Sequence, residues 1–384
     1  MKDELFYKGS FGLERETLRV DKNGKLAQTP HPFGDSEQIT RDFCENQIEL
    51  VTPVCSDIKE LMKELERLDA TVRAELDKNG ERIWLYSNPP HIENENEIPV
   101  ANFIGEHSGK RRYRDQLERR YGKRLMLFSG IHFNFSFDDA YLHSICDDED
   151  FGHFKNRFYL RLYKQISVHS WLVLLLTAAS PIYDKSLDED GASGAVKSRY
   201  ASMRNSERGY WNEFVPELRF SELSEFVDSI QYYVDKGALF SASELYLPVR
   251  LKPRGVNKLE SFANGVSHIE LRMLDLDPFT KLGVDERDLE FTHLLIMYLS
   301  CRDDFELTAE LQAQAVKDHK NAALYDLDGV CIGGVPMLER AAQIIDDMQE
   351  FFCDDSEACS ILIYEKNKLS DRLCTRLTAE EVYG

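Results

Sequence analysis

The sequence predicts an α+β protein built on a largely antiparallel sheet, and three observations carry that expectation. Segments with a period of two recur along the chain, each with one apolar and one polar face. Helical periods lie scattered between them. The two do not follow the regular β–α succession that a doubly wound parallel sheet requires.

Taken in order, Leu13–Val20 (LERETLRV) is the first predicted strand, with Glu14 and Glu16 on one face and Arg15 and Arg19 alternating away from them. Further acids follow at Asp42, Glu45 and Glu49 (RDFCENQIEL). Asp57 and Glu60 have capping-box spacing, and Ile58, Leu61, Met62, Leu65, Leu68 and Val72 continue at helical intervals until Gly80 stops them. The basic stretch Lys110–Arg124 has a helical pattern interrupted by Asp115 and Glu118, and reads either as a solvated helix face or as a phosphate-binding patch. In Gly130–Phe137 (GIHFNFSF), His132, Asn134 and Ser136 lie opposite Ile131, Phe133, Phe135 and Phe137. A long helix is predicted over Phe151–Ala179, buried mainly in its C-terminal half. Tyr246–Arg254 (YLPVRLKPR) puts Arg250, Lys252 and Arg254 on one face, as a clamp for phosphate oxygens or as an edge strand guarded by charge. In His268–Leu274, His268, Glu270 and Arg272 lie opposite Ile269, Leu271 and Met273. Two more helices are predicted, over Arg287–Cys301 and Met337–Phe352. The loops His91–Pro99 and Asp184–Ser198 are either lids or plain surface loops.

At 384 residues the chain accommodates one large domain with insertions or two fused lobes. A formal charge of −21 argues against nucleic acid as the main partner, because a phosphate backbone would be repelled at long range. The longest apolar run, Trp171–Ala179, is too short to cross a bilayer, and the N-terminal MKDELFYKGS lacks the features of a secretory signal. The eight cysteines form no CxxC pair and no zinc spacing, so reduced thiols in a cytoplasmic protein are expected.

Glutamates at i and i+2 of one strand put two carboxylates on one side, where they repel unless water, basic partners or cations intervene. Any one of these acids alone is consistent with a solvent-facing residue. Several polar strand faces together are more simply explained by one lined cavity holding acids for a metal, a histidine, and the cations Arg15, Arg19 and Arg272, with a second layer as the alternative place for Arg15 and Arg19. Magnesium, a hard ion that takes carboxylate and phosphate oxygens, suits such a set. The sequence has no P-loop, GxSxG elbow, HExxH pair or protein-kinase motif set, so any nucleotide must be held through metals and basic side chains.

At these residues the sequence resembles the bacterial glutamate–cysteine ligases, including the ligase half of bifunctional glutathione-synthesising enzymes. The matching strings are GLERETLRV (12–20), DFCENQIELVTPV (42–54), RYGKRLMLFSGIHFNFSF (120–137), SMRNSERGY (202–210), ELYLPVRLKPRG (244–255) and HIELRMLDLDPFTKLGV (268–284). The resemblance implies a sheet like that of glutamine synthetase around a cavity for magnesium or manganese. It implies Glu14, Glu16, Asp42, Glu49, His132 and Glu270 as metal ligands and Arg272 at the glutamyl or phosphoryl group. Arg204, Tyr210 and Tyr246 would hold the acceptor's carboxylate, and Tyr113 and Phe43 would line its side-chain pocket. Apart from the resemblance, the clamp reading of Arg250, Lys252 and Arg254 would put them at the phosphates of ATP, with Arg250 joining Arg272 in catalysis.

The expected reaction is ATP-dependent joining of the glutamate γ-carboxylate to the amine of cysteine, by a monomer forming one catalytic domain over 1–384. The resemblance covers about residues 10–300. Against typical members the chain begins about one helix late and ends short, leaving a shortened helical region from about 303 to 384. Three rival readings stay open: a γ-glutamyl ligase for another amine, a metal-dependent phosphohydrolase, and a catalytically dead homologue.

Overall fold

A computed structural model describes residues 4–103, 109–147, 150–189 and 191–383. Asp190 of the second loop, Met1–Asp3 and the side chain of Lys110 lie outside the described residues. The central sheet takes β1 (Gly9–Val20), β2 (Ile39–Arg41), β3 (Gln47–Val51), β4 (Arg82–Trp84), β5 (Ile131–Phe137), β8 (Val249–Pro253) and β9 (Val266–Leu274). Two small ribbons pair β6 (Ile182–Asp184) with β7 (Ala195–Lys197) and β10 (Cys331–Ile332) with β11 (Val335–Pro336). The helices are α1 (Glu4–Tyr7), α2 (Ile58–Asp77), α3 (Gly109–Tyr121), α4 (Asp139–Ser144), α5 (Phe151–Thr177) and α6 (Leu223–Asp235). They continue as α7 (Glu286–Ser300), α8 (Ala309–Ala322), α9 (Met337–Phe351), α10 (Ser356–Lys368) and α11 (Ala379–Tyr383).

The central sheet runs β2-β3-β1-β5-β9-β8, with β4 pairing the end of β1 where β5 leaves it. Every pair in it is antiparallel, as expected. Alternation within each strand makes the two faces chemically different. One face buries Phe11, Leu13, Ile131, Phe133, Phe135, Ile269, Leu271 and Met273 in the main core, against α2, α5 and α7. The other face carries the polar residues and forms the floor of a cavity.

Local chemistry explains the helix that fixes the core side. The Asp57 carboxylate accepts a hydrogen bond from the Glu60 amide, while the Glu60 side chain reaches back to the Ser56 amide. Ile58, Leu61, Leu65, Leu68, Val72 and Leu76 are buried from that start onward. From the same helix Asp69 meets Arg15 at 2.6 Å, both fully buried, and Glu81, just past the helix end, meets Arg19 at 2.6 Å. Of the two placements open for Arg15 and Arg19, the second layer is therefore the observed one, and neither lines the cavity. Both point into the layer behind the sheet, because they alternate with Glu14 and Glu16.

Candidate active site

The pairing of the strands sets the site before any side chain is considered. Glu16 of β1 lies directly opposite Glu49 of β3, and Glu14 opposite His132 of β5. On the other flank of β5, Asn134 lies opposite Glu270 of β9, which in turn faces Arg250 of β8. A cavity of about 370 Å³ is lined by Glu14, Glu16, Asp42, Glu49, His132 and Glu270, together with Arg250, Lys252, Arg272, Tyr113, Phe43, Tyr210 and Tyr246. Segments far apart in sequence thus deliver almost the whole expected residue set to one place.

Two expected residues are placed otherwise. Arg254 is exposed and lines no part of this cavity, because a bulge between Lys252 and Pro253 breaks the alternation that put it beside Arg250 and Lys252. Arg204 sits just beyond the rim, in a recess shared with Tyr210, Tyr246 and Arg272. Its Nη1 donates to the carbonyls of Arg272 (2.9 Å) and Leu274 (3.2 Å). The loops 91–99 and 184–198 contribute no residue to the lining of this cavity among those described. His91 instead bonds Asp184 at 2.9 Å, and the Ile92 amide donates to Ser186 Oγ, pinning the two loops together.

Sequence reasoning missed Arg114, Ser243 and Asn257, which also line the cavity. Arg114 lies 3.7 Å from Asp42 and over the ring of Phe103. The one available signal was its place on α3 beside Tyr113 and one turn before Leu117, on the apolar stripe of a basic helix. The basic stretch therefore divides between the two open readings. Arg114 enters the cavity, while Arg111 pairs with Asp115 and Arg120 with the buried Glu244.

The acids are crowded and short of partners. His132 Nδ1 lies 3.0 Å from Glu14 and 3.8 Å from Glu270, and its Nε2 lies 3.7 Å from Glu16. Ligand atoms of Glu14, His132 and Glu270 all fall within 4.8 Å of one another. Glu16 Oε2, Glu270 Oε2 and His132 Nε2 are buried without a hydrogen-bond partner among the described residues. Burial and the nearby Asp42 push the Glu16 carboxyl up to about 8, and the same two causes raise Glu49 well above the usual carboxylate range. Glu270 is held well below that range; burial opposes this, but Arg272, Lys252 and Arg250 outweigh it. Burial and the Arg272 charge lower His132 to about 4, so it is a neutral imidazole with lone-pair capacity.

Buried oxygens with no donor, a neutral histidine and like charges placed directly across a strand pair are a costly arrangement for an empty protein. The donor set is that of hard divalent cations, and these residues fit magnesium or manganese. Opposite the acids stands a cationic wall. Lys252 Nζ and Arg272 Nη1 each lie 3.1 Å from Glu270 Oε1, and Arg250 Nη1 lies 3.9 Å from Oε2. Tyr113, Tyr210 and Tyr246 also line the cavity, with the Tyr210 and Tyr246 rings 5.0 Å apart edge to face. Burial pushes the Tyr113 phenol up to about 12, and it also raises Tyr210 and Tyr246, so all three hydroxyls keep their protons.

Comparison with known proteins agrees with this geometry. The family profile described as glutamate-cysteine ligase matches residues 1–322. The chain is 35% identical over 372 residues to the glutathione biosynthesis bifunctional protein GshAB of Clostridium perfringens, covering 91% of this chain and 48% of that protein. It is 32% identical over 377 residues to the glutamate–cysteine ligase of Clostridium acetobutylicum, covering 84% of this chain and 78% of that one. Among solved structures, the bifunctional glutathione synthetase of Pasteurella multocida superposes with a TM-score of 0.84 at 25% identity, over 99% of this chain and 53% of that one. The glutamate–cysteine ligase of Francisella tularensis, in complex with AMP, gives 0.82 at 26% identity, over 95% and 82%. The chain spans about half the length of the bifunctional relatives it matches. By profile, identity and fold, it belongs to the glutamate–cysteine ligase family.

Proposed function

We propose that the chain joins the γ-carboxylate of glutamate to the amine of cysteine, converting ATP to ADP and phosphate through γ-glutamyl phosphate. The observation that carries the reading is the facing of an under-partnered acid–histidine cluster and a cationic wall within one cavity. A carboxylate does not react with an amine at neutral pH, because its oxygen is a poor leaving group; phosphorylation makes it one. Magnesium or manganese held by Glu14, Glu16, Asp42, Glu49, His132 and Glu270 would neutralise charge on the phosphates and on the transferring group. Arg272, Arg250 and Lys252 supply fixed positive potential beside Glu270, where the phosphoryl oxygens have to lie. Arg254 is left out of this role by its exposure.

On the acceptor side, Arg204 meets the carboxylate of cysteine, with the hydroxyls of Tyr210 and Tyr246 beside it. Phe43 and Tyr113 bound the space for a small, weakly hydrogen-bonding thiol. Much of the rate then comes from holding three substrates in one geometry. Among the described residues no helix is long and apolar enough to cross a membrane. We place the enzyme in the cytoplasm, with 1–384 acting as one catalytic domain.

Product analysis with ATP, glutamate and a panel of amines tests the reading. ADP and phosphate are expected, with cysteine and 2-aminobutyrate as good acceptors and cysteamine, which lacks the carboxylate, as a poor one. Chelator should abolish turnover and magnesium restore it, and Glu270→Gln should lower kcat by orders of magnitude in a folded protein. AMP and pyrophosphate as products, or ATP cleavage indifferent to any amine, would remove the ligase mechanism.

A further inference from the structure

Behind the acceptor recess lies a buried chain of polar groups that the reaction does not use. Asp275, just past β9, accepts from the Ala179 amide (3.0 Å), Ser180 Oγ (2.7 Å) and Ser202 Oγ (2.9 Å). Asn205 Nδ2 donates to Ser202 Oγ (2.9 Å) and to the Met273 carbonyl (2.9 Å), with Asp275 Oδ1 at 3.4 Å. Asn205 Oδ1 lies 3.3 Å from His319 Nε2 on α8, and His319 Nδ1 lies 2.9 Å from Ser170 Oγ on α5. Ser170, Ser202, Asn205, Asp275 and His319 are all buried.

For a neutral His319 ring, donor and acceptor logic leaves one arrangement of protons. The Asn205 amide nitrogen faces only acceptors, so its oxygen is the group turned to His319. An oxygen cannot donate, so His319 Nε2 must carry the hydrogen. In the neutral ring Nδ1 is then the lone-pair nitrogen and accepts from the Ser170 hydroxyl at 2.9 Å, closer than the Ser167 carbonyl, that hydroxyl's other acceptor at 3.2 Å. Burial, with the charges of Arg204 and Lys320, lowers His319 to about 3, which keeps the ring neutral in this one tautomer. A fully satisfied buried network is rigid, and this one grips the residue next to Arg204.

We propose that His319 is a positioning residue of the acceptor site, fixing through Asn205 the turn that presents Arg204 to the acceptor carboxylate. The inference rests on the reading of Arg204 given above. Two glycines show how little play the turn has. A Cβ on Gly130 would lie 2.6–2.7 Å from the Arg204 guanidinium nitrogens, and one on Gly209 would collide with the Arg204 carbonyl. The Arg204 guanidinium thus lies against the backbone at Gly130 and its main chain against Gly209, so where the side chain is aimed depends on how the turn is held. His319 lies on α8, after the last of the strings that carry the family resemblance.

The test is steady-state kinetics of His319→Leu, His319→Gln, Ser170→Ala and Arg204→Lys in the full chain, with melting curves for each. His319→Leu should raise the KM for cysteine about tenfold, the worth of one net hydrogen bond, with those for ATP and glutamate little changed. Glutamine can offer an N–H in place of Nε2–H and should recover most of the loss. Ser170→Ala, a milder change that keeps the fold if His319→Leu does not, should raise the KM for cysteine a few-fold. Nitrogen-15 NMR of the wild-type protein should find His319 neutral with its proton on Nε2. A proton on Nδ1, unchanged cysteine KM in folded variants, or all three KM values rising together would overturn the proposal. If Arg204→Lys raises the cysteine KM and the His319 variants do not, the inference alone falls. If Arg204→Lys leaves it unchanged, the acceptor reading falls and takes the inference with it.

Discussion

Gly130 shows how a residue with no side chain can act at a site. It precedes β5, and the space its missing Cβ leaves is filled by the guanidinium of Arg204. Arg204 is anchored there by two carbonyls, so a methyl group at 130 displaces its far end more readily than the backbone. Gly130→Ala should therefore keep the melting temperature within a few degrees and raise the KM for cysteine by about ten- to a hundredfold, the range of one charge-assisted hydrogen bond. A variant that melts far lower, or binds cysteine normally, would contradict this account. Single-residue roles of this kind were only partly legible in the sequence. Glu14, Glu16, His132 and Glu270 announced themselves by polar alternation on otherwise apolar strands. Arg114 did not, because a cation on a basic helix looks solvated until the helix is seen to dip into a cavity.

Strands were the most readable elements because a period of two says which residues share a face. That rule fails where the backbone departs from it, and the bulge after Lys252 is why Arg254 was misplaced. The turn that follows β9 could not be read at all from periodicity. There Asp277 Oδ1 accepts from the Phe279 amide at 2.9 Å and is buried near Asp288 and Asp285, while Lys368 of α10 bonds Asp288. Burial, with Asp288 adding to it, pushes the Asp277 carboxyl from 3.8 up to about 6. The folded state holds this proton more tightly than the unfolded chain. Its stabilising contribution is thus complete below the unfolded value and is lost as pH rises through about 6. Wild-type protein should lose melting temperature between about pH 4 and 7 more steeply than Asp277→Asn, which keeps the acceptor oxygen but cannot ionise. Parallel profiles for the two proteins would show that Asp277 does not titrate in this way.

At the scale of the whole molecule, a formal charge of −21 surrounds a cavity in which one oxygen each of Glu16 and Glu270 is buried without a hydrogen-bond partner among the described residues. Such a field concentrates divalent cations and is screened over about 10 Å at 0.1 M salt. The magnesium concentration giving half-maximal rate should accordingly rise several-fold from low to physiological ionic strength, by titration at fixed ATP. A requirement indifferent to salt would mean that only the local ligands matter. The opposed faces of β1 have a further consequence, for how the chain finds its fold. A slip of one residue would turn Glu14 and Glu16 toward Asp69 and Glu81, and would take Arg15 and Arg19 away from the buried carboxylates that pair with them. Acid would be buried against acid behind the sheet, with neither cation nor water to relieve it. The charge pattern that prepares the site thus also rejects the misaligned sheet, so a chain that has paired its central strand wrongly is too unstable to persist.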